Sequence, residues 1–164
     1  NFGAPMKEAL TEPGPWSIGF TAFGEILPYH DNHIRLSDSV KDKWGMEALV
    51  MNAEIKENEK NMRKDMMADA AEMLEVAGFK DVQTYDSGYT FGQGIHEMGT
   101  ARMGRDPKSS VLNGNNQVWD AKNVFVTDGA AMTSAAAQNP SLTYMAMTAR
   151  AAAFAVEELK KRNL

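Results

Sequence analysis

The sequence predicts an α+β fold, a mainly antiparallel sheet with covering helices. Three observations carry that expectation. Residues 16–27 alternate apolar with small or polar side chains, the period of a half-buried strand. Residues 58–77 repeat apolar positions at intervals of three and four, and residues 139–160 do so again behind an Asn-Pro start.

The elements follow in chain order. The chain opens on Asn1-Phe2-Gly3, with neither a methionine nor the basic start and apolar run of a signal peptide, and so reads as a piece of something longer. Pro5, Pro13 and Pro15, with Gly3 and Gly14, make residues 1–15 an irregular lead-in, because proline lacks the N–H that helices and central strands use. From Trp16, the stretch WSIGFTAFGEIL sets Trp16, Ile18, Phe20 and Ala22 on one side of an extended strand. The segment PYHDNH at 28–33 is turn chemistry, since Asp and Asn side chains bond nearby backbone. Ile34-Arg35-Leu36 alternates after it, which predicts a hairpin there. Residues 37–45 read as a charged loop and residues 47–54 as a short apolar strand.

In the first long helix, residues 58–77, Met62, Met66, Ala70, Met73, Leu74 and Ala77 form the apolar stripe, with Asn58 to cap it and Gly78 to close it. Methionines at this spacing read as core rather than as a soft metal site. Residues 82–90 look extended. After a glycine-rich stretch come residues 111–119, an apolar strand at 123–127 and a small-residue loop at 128–138. The last helix takes Asn139 as its cap and Pro140 as its first residue, and Leu142, Met145, Ala146, Ala149, Ala153, Val156 and Leu159 carry its stripe to Lys160.

Composition narrows the function classes. The 164 residues hold 17 Lys+Arg against 22 Asp+Glu, a net charge of -5, which argues against a nucleic-acid or anionic-membrane partner. With no cysteine there is no disulfide, thiolate nucleophile or Cys-ligated metal, and the compartment stays open between periplasm and cytoplasm. The most apolar stretch, 144–156, carries Arg150 and falls short of the ~20 apolar residues that a spanning helix needs. No membrane span is expected.

Several constellations read as surface or local structure. His30 and His33 flank Asp31 without a third ligand in view, so no metal is expected. Gly92-Gln93-Gly94 lacks the third glycine and following helix of a dinucleotide cradle. Ser109, Ser110 and Ser134 sit in no G-x-S-x-G elbow, leaving acyl transfer without support.

The C-terminal third is more specific. It holds His96-Glu97-Met98-Gly99-Thr100-Ala101-Arg102-Met103-Gly104, then an apolar strand into Asp128-Gly129, then Asn139-Pro140-Ser141-Leu142-Thr143 opening a helix. This ordered set, H-x-x-G-T-x-x-M-G, strand into D-G, and N-P-S-L-T, resembles the C-terminal signature of the glucose-methanol-choline (GMC) oxidoreductases, flavoenzymes that oxidise alcohols. Residues 25–36, Lys41-Asp42-Lys43-Trp44-Gly45 and the helix ending at Gly78 are similar to the substrate-domain half of bacterial sugar and polyol dehydrogenases of that family. The resemblance is strong from Gly94 onward and moderate before it.

The resemblance implies a division of the chain into a substrate-binding half, residues 1–91, and a catalytic segment, residues 92–164, that completes a flavin site. It makes His96 the catalytic base and places the second member of the catalytic pair on Asn139. The chemistry suits those types: imidazole, with an ordinary pKa near ~6.5, accepts a hydroxyl proton near neutral pH, and an amide donates to a developing alkoxide. Asp128 and Gly129 match the family's strand-end turn beside the cofactor, and Pro140 and Ser141 the helix start that faces the flavin. Thr100 and Arg102 read as local structure, and Glu97 as a poor partner for His96. The implied cofactor is FAD, held mainly by an N-terminal FAD-binding domain whose G-x-G-x-x-G unit does not occur in these residues. The implied substrate is a hydroxyl of a sugar, sugar acid or polyol. A choline or aliphatic alcohol dehydrogenase would use the same pair. The electron acceptor, whether oxygen, quinone or a haem partner subunit, is not legible. The rival expectation is a noncatalytic binding domain that kept the fold.

Overall fold

One antiparallel ribbon and three helices make up an α+β fold. This computed structural model describes residues 2–164; Asn1, at the head of the expected lead-in, lies outside the described residues. The order is α1 (Ala4–Ala9), β1 (His33–Lys41), β2 (Glu47–Asn52), α2 (Glu57–Val76), a 3-10 turn (Gly129–Ala131) and α3 (Ser141–Lys160).

The lead-in contains a helix where irregular chain was expected. Pro5 falls in the first turn of α1, where a missing N–H removes no helical bond, and Gly3 takes a φ of 73° to start it. The hairpin also lies one element later than the sequence suggested. β1 pairs with β2, placing His33 opposite Asn52 and Leu36 opposite Leu49, and β1 runs through most of the expected charged loop to Lys41. The turn is made by Asp42, whose carboxylate accepts from the N–H groups of Trp44 (2.8 Å) and Met46 (3.0 Å), and by Gly45 at φ 84°. The 28–33 turn instead fastens the open end of the ribbon: the Asn32 side chain exchanges hydrogen bonds with the backbone of Glu54, at 3.1 and 2.9 Å.

The strand expected from Trp16 pairs with no other strand among the described residues. Its partner is α2. Trp16 meets Phe79 edge-on at 5.6 Å, Gly24 lies against the thioethers of Met62 and Met66, and the Leu27 N–H donates to Glu59 at 3.2 Å. These contacts run backward along the helix, so the segment is antiparallel to α2. The lengths agree: from Trp16 to Leu27 an extended chain covers about 36 Å, and from Glu59 to Phe79 the helix and its end cover about 30 Å. A Cβ at Gly24 would meet the end of the Met62 side chain, which would have to swing aside to admit it.

α2 starts one residue before the expected Asn58, where Glu59 folds back to accept from the Lys56 N–H at 3.1 Å. It stops as expected. Gly78, at φ 91°, donates to the Glu75 carbonyl and Phe79 to that of Leu74, the paired bonds that close a helix through a left-handed residue. Met62 and Met66 are half-buried, whereas Met73 is exposed.

The buried apolar residues are Leu112, Ala131, Met147 and Ala151, all in the C-terminal half. There the expected strand at 123–127 and the stretch at 111–119 make isolated bridges, Met103 to Leu112, Leu112 to Val118 and Gln117 to Phe125, rather than a ladder. The chain folds these short pieces around Leu112, and α3 lies over them with Met147 and Ala151 inward. No helix among the described residues is long and apolar enough to cross a membrane.

Candidate active site

His96 and Asn139, 43 residues apart, meet: His96 Nε2 lies 2.9 Å from Asn139 Oδ1. Three local arrangements bring them together. The segment after His96 runs beside the 3-10 turn, with the N–H groups of Gly99, Ala101 and Met103 donating in register to the carbonyls of Gly129 (3.3 Å), Ala130 (2.9 Å) and Ala131 (2.9 Å). Gly99 takes a φ of 88°, which turns the chain onto this path.

The turn itself is set by Asp128, whose carboxylate accepts from the Ala130 N–H at 3.0 Å. Gly129 is buried, and a Cβ there would stand 2.8 Å from the Glu97 carbonyl, 2.8 Å from the Tyr144 hydroxyl and 2.9 Å from Met98 Sδ. The protein itself fills the space beside this glycine. Asp128 and Gly129 therefore have a structural duty, joining the His96 segment to α3, whatever else lies against them. Burial, with the charge of Asp128 adding to it, raises the pKa of Tyr144.

α3 docks through polar side chains on its inner face. The Tyr144 hydroxyl reaches Met98 Sδ at 3.7 Å, the Thr148 hydroxyl lies 2.9 Å from that of Thr127, and Arg150 Nη2 donates to Asn116 Oδ1 at 2.7 Å. Asn116 is the residue that the sequence reading missed. It has no solvent exposure and a φ of 63°; its amide donates to the Val126 carbonyl at 2.9 Å, and its own carbonyl accepts from the Val126 N–H at 3.0 Å. The signal for it was the Asn113-Gly114-Asn115-Asn116 run, since asparagine tolerates the left-handed backbone of tight turns.

At the start of α3 the structure departs from the expected capping. Pro140 occupies the cap position, no side chain caps it, and Asn139 spends its side-chain oxygen on His96. The N–H groups of Ser141, Leu142 and Thr143 find no acceptor among the described residues. This end thus presents free donors and the positive end of the helix dipole next to the His96–Asn139 pair. That donor set suits a group that gains negative charge, as a flavin does on reduction.

The remaining candidates stay apart from the pair. Arg102 donates to the Ser109 carbonyl at 2.5 Å, a local bond as expected, and Glu97 turns back to accept from the Gly94 N–H at 3.2 Å. His33 Nδ1 lies 3.1 Å from the Asp31 carbonyl, and Asp31 forms an ion pair with Lys56.

Residues 28–148 match the family model described as GMC oxidoreductase. The chain is 39% identical over 133 residues to 2-methyl-1,2-propanediol dehydrogenase of Mycolicibacterium austroafricanum, covering 79% of this chain and 23% of that protein. It is 30% identical over 156 residues to the gluconate 2-dehydrogenase flavoprotein of Pantoea cypripedii (90% and 25%). It is 25% identical over 159 residues to the fructose dehydrogenase large subunit of Gluconobacter japonicus (97% and 29%). The chain thus spans about a quarter of the length of these relatives.

Proposed function

The chain belongs to the GMC oxidoreductase family, and on that premise we propose that it is the substrate-side part of an FAD-dependent enzyme that oxidises an alcohol to a carbonyl compound. Residues 1–91 contribute to substrate binding and residues 92–164 complete the flavin site. The observation that carries the reading is the 2.9 Å approach of His96 to Asn139 beside the uncapped start of α3.

FAD, when bound, supplies the two-electron acceptor for the hydride that leaves the carbinol carbon. To take the hydroxyl proton at Nε2, His96 keeps its own ring proton on Nδ1, and Asn139 turns its amide so that Nδ2 rather than Oδ1 faces the site. At 2.9 Å the two side chains leave no room for an oxygen between them, so a substrate hydroxyl replaces their direct bond. The Asn139 amide then donates to that oxygen as it gains negative charge, an interaction strongest in the transition state. Ser141 and its neighbours in the first turn of α3 would offer N–H groups and the helix dipole to a cofactor that gains negative charge, and Pro140 fixes the direction of that turn. Asp128 and Gly129 hold the turn against which both catalytic segments lie.

The relatives' names point to small diols, sugars and sugar acids as the substrate class. The large-subunit name of one relative supports a partner subunit, to which we assign the role of electron acceptor. The test is a flavin spectrum and a dye-linked alcohol oxidation assay on the full-length protein that contains this chain, with His96→Ala and Asn139→Ala beside the wild type. Bound flavin with turnover lowered ~10²-fold or more in the His96 variant is expected, the scale of a lost general base. A full-length protein without flavin, or variants as active as wild type, would leave a binding domain as the better account.

A further inference from the structure

Among the described residues, Asp81, Ile95, Asn116 and Arg162 are the non-glycine residues with positive φ. Asp and Asn tolerate that region, and Arg162 sits just past the end of α3. Ile95, at φ 55°, is different, because a β-branched side chain makes it an outlier. Nothing among the described residues repays the strain, for Ile95 is 85% exposed. The conformation is imposed from both sides: Glu97 folds back onto the Gly94 N–H, and His96 is held at Asn139. Glycine or asparagine would suit this backbone better. An isoleucine that its backbone opposes and the protein does not bury therefore calls for something outside the chain that its side chain touches.

Ile95 is one peptide from His96, with Cα atoms about 3.8 Å apart. A molecule in contact with the imidazole is within reach of a four-carbon side chain there. We propose that Ile95 is a specificity-determining residue of this site, an apolar wall against the substituent beside the reacting carbon. It favours alcohols with an alkyl group at that place over those with a hydroxymethyl group. The inference rests on the reading of His96 as the base.

The probes are propane-1,2-diol and glycerol, which differ by a methyl against a hydroxymethyl group. On the flavin-loaded full-length protein, the wild type turns over propane-1,2-diol with the higher kcat/KM. Ile95→Asn lowers the ratio of the two kcat/KM values by about 10-fold or more, within the range that one small apolar group contributes to discrimination. Ile95→Val lowers it only a few-fold. The Tm of Ile95→Asn stays at or above that of wild type, since asparagine accepts the left-handed backbone. An unchanged ratio in Ile95→Asn overturns the proposal, and an accompanying fall in Tm identifies Ile95 as a packing contact with the rest of the protein. Failure of the underlying reading looks different: a flavin-loaded wild type that turns over neither alcohol overturns the specificity proposal alone, whereas a full-length protein that holds no flavin overturns both.

Discussion

Arg150 Nη2 donates to Oδ1 of Asn116 at 2.7 Å, joining the middle of α3 to a fully buried, left-handed asparagine. The same guanidinium lies 3.7 Å from Met103 Sδ, so one side chain ties α3 both to the His96 motif and to the loop that leads into Val126. Asn116→Ala removes the amide and leaves the Val126 carbonyl short of a partner, at roughly 1–3 kcal/mol, while the exposed guanidinium of Arg150 turns to water. It also places a Cβ-bearing residue without a helpful polar side chain in the left-handed region, at about 1–2 kcal/mol. A loss of about 2–5 kcal/mol is expected, with Asn116→Gly milder because the backbone cost is absent. Thermal melts followed by circular dichroism check the order. Asn116→Ala and Asn116→Gly melting together would show that the backbone conformation contributes nothing.

Gly129 lies between the His96 segment and α3. A methyl group there would press on the Glu97 carbonyl, the Tyr144 hydroxyl and Met98 Sδ, all within 3 Å. Gly129→Ala is expected to cost about 1–3 kcal/mol through overpacking and to separate His96 from Asn139. Tyr144→Phe in the same chain removes one of the three obstacles and so restores part of the loss. The measurement is a double-mutant cycle on urea midpoints; strict additivity of the two substitutions would rule out this account.

The residues that could be read from sequence are those whose reason is local. The α2 stripe and its Gly78 stop follow from period and backbone chemistry, and both occur, as does the α3 stripe. The pairing of His96 with Asn139 followed from a motif rather than from a period, and the structure brings those two side chains together. What was illegible depends on partners distant in sequence. Residues 16–27 have a strand's alternation, yet alternation cannot say whether a neighbouring strand or a helix lies alongside, and here it is α2. The pieces around Leu112 are too short to show any period. Asn116 resembles an ordinary turn asparagine until Arg150 and Val126 are seen to close on it.

The junction of residues 27–29 with α2 should be sensitive to acid. Glu59 is buried, and accepts from the N–H groups of Leu27 (3.2 Å) and Lys56 (3.1 Å), the Asn58 amide (3.2 Å) and the Tyr29 hydroxyl (3.2 Å). Burial opposes its charge, but the donors at Leu27, Asn58 and Lys56 outweigh it and hold its pKa below the usual glutamate value. Burial and the Glu59 charge together raise Tyr29. A depressed carboxylate contributes stability above its unfolded pKa, near ~4.3, and that contribution disappears as pH falls through the lower folded value. Glu59→Gln keeps the shape but turns an N–H₂ group toward N–H donors. It is expected to cost about 1–3 kcal/mol at pH 7. Urea midpoints between pH 7 and pH 3, read against the ~4.3 reference, should therefore fall more steeply in wild type than in Glu59→Gln and draw together at the acid end. Parallel curves across the whole range would mean that other carboxylates govern the acid response.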